Sequence, residues 1–187
     1  MKKILLFILL VSSMTVGAQS FVDGVTNYKL YKPSNDPDNK GVTYSYSGRK
    51  IKVLFFYYQM GCAARLVDEY GNKTDMRYVD PFESGENDFF ADYYKDMEYV
   101  ITQYDFDGDS AAEIVIASRI KDGASTPVGI FVYRLKDGKI WNLKAPQTWW
   151  DMKVHLTLNH IKVDANHYGF SYDWTYESGR FVDHGNY

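Results

Sequence analysis

Between residues 98 and 143 the sequence is a succession of short apolar, β-branched runs separated by turn residues. The runs are 98–104, 113–120, 129–135 and 139–143. Asp122-Gly123 and Pro127 separate the second from the third, and Asp137-Gly138 separates the third from the fourth. Asp-Gly suits a tight hairpin because both positions tolerate the positive φ that the turn demands. Runs of this length and composition read as strands, and tight connections leave antiparallel neighbours as the only pairing. The stretch therefore predicts a four-stranded antiparallel meander.

The first connection of that meander is chemically the most specific part of the chain. Residues 105–116 read Asp-Phe-Asp-Gly-Asp-Ser-Ala-Ala-Glu-Ile-Val-Ile, with carboxylates at positions 1, 3, 5 and 9: Asp105, Asp107, Asp109 and Glu113. Carboxylates this close repel one another unless a cation lies among them. Calcium is a hard ion that collects oxygens from carboxylates, backbone carbonyls and water. Ala111, at position 7, offers its carbonyl, and Gly108 permits a turn that a Cβ would obstruct. The loop departs from an EF-hand: Ser110 stands at position 6, Ile116 at position 12, and a strand follows in place of a helix.

The same residues resemble the calcium loop of the FG-GAP and VCBS repeat families, in which Asp-x-Asp-Gly-Asp-Gly precedes an acidic residue at position 9 and a hydrophobic strand. The resemblance implies calcium held by Asp105, Asp107, Asp109 and Glu113 between two strands of a propeller blade. Ser110 replaces the usual glycine. The resemblance also implies a propeller, but a propeller needs at least four blades of four strands. One acidic loop is present and no internal repeat of fixed period is visible. The expected fold is thus mainly β: an antiparallel, sandwich-like meander in a single domain with one short helix, not a propeller.

The chain opens with Lys2 and Lys3, an apolar run over residues 4–11, and Val16-Gly17-Ala18, the pattern of a cleaved secretory signal ending at Ala18. Loss of residues 1–18 from 187 leaves 169 and removes two lysines, taking the formal charge from −3 to −5. The apolar run is too short to span a bilayer. Mild acidity argues against nucleic-acid and anionic-membrane partners. Export to the periplasm or medium is expected, without membrane insertion. Cys62 is the only cysteine and cannot form an internal disulfide; beside Ala63 and Ala64 it reads as buried.

Residues 19–41 read as an irregular lead-in, and 42–187 as the β-rich domain. Strands are expected at 42–47, 50–58, 65–70 and 76–79, then at 153–163, 168–176 and 180–184, making about ten in all. Ser47-Gly48 and Ser178-Gly179 supply turns. Residues 81–97 place Phe89, Phe90, Tyr93, Tyr94 and Met97 at helical spacing and predict the one helix.

No signature of nucleophilic, metallopeptidase or nucleotide chemistry appears. His155 and His160 lie five residues apart, which in one strand would put them on opposite faces. Trp149 and Trp150 follow Pro146 in an expected loop and are candidates for ligand or partner contact. The composition and motifs point to a non-enzymatic, calcium-binding module whose partner is another protein, as an inhibitor or immunity-type protein would be. One alternative is carbohydrate binding through exposed tryptophans. Another is a hydrolase whose acidic residues the sequence does not single out.

Overall fold

In the computed structural model the described residues are 22–23, 29–36, 39–58, 61–77, 97–120, 128–145, 153–165 and 170–186. They form fourteen strands: β1 (Val22–Asp23), β2 (Lys29–Tyr31), β3 (Val42–Tyr46), β4 (Arg49–Tyr58), β5 (Gly61–Asp68), β6 (Lys73–Arg77), β7 (Met97–Tyr104), β8 (Glu113–Ile120), β9 (Val128–Arg134), β10 (Lys139–Ala145), β11 (Lys153–Thr157), β12 (His160–Ala165), β13 (Phe170–Glu177) and β14 (Arg180–Asn186). Three sheets result, ordered β3-β4-β5-β6, β10-β9-β8-β7-β2 and β1-β11-β12-β13-β14. Pairing is antiparallel except between β1 and β11.

Each sheet contains a meander of four consecutive strands. The meanders begin at residues 42, 97 and 153, so a structural unit recurs every 55 or 56 residues. This corrects the expectation of no internal repeat. The period is hidden in the sequence because corresponding connections carry different residues, Ser47-Gly48 in the first unit and Leu158-Asn159 in the third, while the second is the longer acidic segment 105–112.

The sheets stack by their faces, with β7–β10 in the middle. Val100, Val115, Ala117, Ile130 and Val132 pack against Val154, Leu156, Ile161, Val163 and Trp174 of the third sheet. Their chain neighbours Tyr99, Ile101, Ile114, Ile116 and Phe131 pack against Val53, Phe55, Ala64 and Leu66 of the first. Alternate residues of one strand thus enter two different cores, which is why 114–117 is an unbroken apolar run. Among the described residues the outer sheets share no core cluster, so the stack stays open and is not a propeller.

Other expectations change as well. The lead-in contributes two short strands, which cap the sheet edges at β7 and β11. Residues 153–163, read as one strand, are a hairpin turning at Leu158-Asn159. His155 and His160 consequently share the outward face, because 153, 155 and 157 pair with 164, 162 and 160. No helix occurs among the described residues. The helix expected over 81–97 lies outside them except for Met97, which opens β7.

Hairpin turns of all three sheets gather at one end of the stack. Arg49 Nη1 donates to the Leu135 carbonyl at 3.4 Å, and Lys50 N donates to Glu69 Oε2 at 3.3 Å. Lys139 Nζ donates to the Gly179 carbonyl at 2.6 Å. Asn159 N donates to the Phe106 carbonyl at 3.0 Å, tying the third sheet to the acidic loop.

Candidate metal centre

The acidic loop joins β7 to β8 at this end, where Tyr104 and Glu113 close the ladder as the last pair. Its anchor is Phe106, the residue between the first two aspartates. Phe106 is fully buried and packs on Tyr104 at a ring separation of 4.8 Å and on Phe181 at 5.2 Å. One apolar side chain therefore roots a polar loop in the core between the second and third sheets. Ala111 is buried too and fixes the loop's return.

Carboxylates organise the backbone between these anchors. Asp105 Oδ1 accepts from Gly108 N and its Oδ2 from Ser110 N, both at 2.9 Å. Asp107 Oδ1 accepts from Asp109 N at 3.2 Å, and Asp109 Oδ1 from Ala111 N at 2.8 Å. The curl needs left-handed backbone at two places, Gly108 with φ of 72° and Ser110 with φ of 69°. Ser110, the one departure from the family pattern, thus occupies the position where a glycine carries no Cβ penalty.

Asp105, Asp107 and Asp109 each offer an oxygen within 4.8 Å of the others. Glu113, the fourth expected ligand, is not in that group but points at the loop from the core. It is 0% exposed. Its Oε2 accepts from Phe106 N at 3.3 Å, while Oε1 is buried without a hydrogen-bond partner. Burial pushes the Glu113 carboxyl up to about 7; the Phe106 N–H opposes this, and the charges of Asp107 and Asp109 reinforce it. Arg134 ends β9 close by, but its guanidinium is engaged by Asp137 and the Tyr176 hydroxyl. At the rim, Lys136 Nζ lies 2.7 Å from Asp109 Oδ2. The Lys136 hydrogen bond, with that from Ala111 N, holds the Asp109 carboxyl below its ordinary value.

A group made only of carboxylate oxygens suits a hard cation rather than zinc or copper, which favour imidazole and thiolate. The spacing of the acids does not single out Phe106 as the residue that anchors the loop. Its signal was present: a large aromatic side chain inside a run of acids and small residues.

Trp149 and Trp150 lie outside the described residues. Of the other tryptophans, Trp174 belongs to the core at 2% exposed, and half-buried Trp141 packs on that core edge-on against Tyr176 and Phe181. Cys62 is placed by its backbone, opposite Tyr57 in the β4–β5 ladder.

Comparison with protein-family models gives no match, and comparison with curated proteins and with solved structures gives no similar protein. The likeness to FG-GAP and VCBS loops therefore stands on residues 105–116 alone.

Proposed function

We propose that residues 105–113 hold one structural calcium ion, in an exported β module that acts by binding another protein. Asp105, Asp107, Asp109 and Glu113 are the side-chain ligands, with the Ala111 carbonyl and water completing the shell. The observation that carries the reading is the Glu113 carboxylate: buried, with one oxygen lacking a partner, bonded through the other to the loop's own Phe106 N–H and within reach of the charges of Asp107 and Asp109. An unpaired buried carboxylate is costly, and a divalent cation compensates it where no protein cation does. The loop's exposed side suits calcium, which accepts irregular shells of six to eight oxygens, better than magnesium, which demands a tight octahedron.

Expected affinity is on the order of 10⁻⁴ to 10⁻³ M, as in other extracellular modules. Calcium at 100 times the dissociation constant should add about 2.7 kcal/mol to stability. Thermal unfolding should shift upward with calcium, return with chelator, and ignore calcium in Asp107→Ala. A melting curve indifferent to millimolar calcium, with no heat in titration calorimetry, would leave the loop an acidic turn.

The turn-rich end that carries the loop supports the protein-binding part of the reading. It exposes Tyr70 by 82%, Leu158 by 62% and Tyr46 by 36%, and exposed aromatics are efficient contact residues. A partner retained from periplasmic extract by the wild type should be lost by the Tyr70→Ser/Leu158→Ser double variant. Equal capture by both would remove this end as the interface.

A further inference from the structure

We propose that Lys136 is the resident counter-cation of the acidic loop and sets its calcium affinity by competing for Asp109 Oδ2. The inference rests on the calcium reading and adds to it a determinant that lies outside the loop, on the β9–β10 turn.

The geometry commits both oxygens of Asp109. Oδ1 accepts the Ala111 N–H at 2.8 Å, the bond that closes the loop before β8. Oδ2 faces the Lys136 ammonium at 2.7 Å. A metal that takes Asp109 through Oδ2 must therefore displace the ammonium or share that oxygen with it, and one that uses the remaining lone pair of Oδ1 still meets the ammonium's repulsion across the same carboxylate. Displacement is easy, because the Lys136 side chain is 57% exposed and is held by its charge rather than by packing. Lys136 also feels the charge of Asp107, so the ammonium lies within the field of two of the three clustered carboxylates. A single positive charge at the rim lowers the loop's repulsion when calcium is scarce. Calcium carries twice that charge and gathers several oxygens at once, so it prevails when abundant.

Lys139 provides an internal control. It lies three residues on, but its ammonium donates to the Gly179 carbonyl and sits 5.0 Å from the Trp141 ring centroid, away from the aspartates.

The test is calorimetric calcium titration of the full-length mature protein in low salt. Lys136→Met should tighten calcium roughly three- to tenfold, the scale expected when a unit charge leaves the edge of a partly solvated site. Lys136→Arg, which keeps the charge, and Lys139→Met should match the wild type. The Lys136→Met advantage should shrink in 1 M KCl, where the Debye length falls to about 3 Å. A lysine that merely held the turn in place would change the metal-free melting temperature and leave calcium affinity alone. If wild type and Lys136→Met bind calcium equally, this inference fails and the calcium site stands. If neither binds calcium, both fail.

Discussion

Glu113 offers the sharpest test of how the loop is built, because its burial makes a signed and sizeable prediction. In the calcium-free protein its carboxyl is pushed up to about 7 from an ordinary 4.5, chiefly by burial. Between those values the folded state holds a proton that the unfolded chain has released. Stability therefore falls as pH rises from about 4.5 through 7 and levels off above, the reverse of a salt-bridged carboxylate. With these two values the Glu113 contribution weakens by roughly 2 to 3 kcal/mol between pH 5 and pH 8, at 1.36 kcal/mol per pKa unit. Glu113→Gln keeps the shape and removes the titration. Urea unfolding in chelator at pH 5, 6, 7 and 8 should show wild type losing ground to the variant by about that amount across the range, with m unchanged. Any fixed cost of burying the amide shifts the variant equally at every pH and cancels from the trend. Calcium should restore the wild type at pH 8, where it meets the ionised carboxylate, and should do little for the variant. A wild-type-minus-variant difference that is flat from pH 5 to pH 8 would refute the reasoning, since it would mean that ionised Glu113 is already compensated.

Two further predictions concern the backbone. Ser110→Gly should stabilise the calcium-free protein by about 0.5 kcal/mol or more in urea unfolding, the relief of a left-handed serine exceeding the added freedom of the unfolded chain; destabilisation would assign the serine side chain a role in the loop. Gly41→Ala should cost about 3 kcal/mol or more by the same assay, since a Cβ there would lie 2.1 Å from the Val53 carbonyl oxygen, whereas Gly48→Ala, with open space around it, should cost only about 1 kcal/mol; similar costs at both positions would contradict the packing of the strand entry before β3.

The sequence by itself determined the local structure of this protein. The short apolar, β-branched runs of β7 to β10 and the Ser47-Gly48, Asp137-Gly138 and Ser178-Gly179 turns were legible because strand preference and turn chemistry act over a few residues. The acidic spacing of 105, 107 and 109 was legible for the same reason: a tight loop converts sequence spacing directly into proximity. Only the tertiary structure decided the rest. That 114–117 faces two cores requires two more sheets, whose residues lie some fifty positions away on either side. Leu158-Asn159 was unreadable as a turn because its left-handed residue is Asn159, not a glycine, and with it went the shared face of His155 and His160. Glu113 and Lys136 show the same division at the site. Their residue types could be read, but burial of one and approach of the other to Asp109 depend on how strands separated in sequence stack, and long-range packing leaves no periodic mark on the residues it brings together.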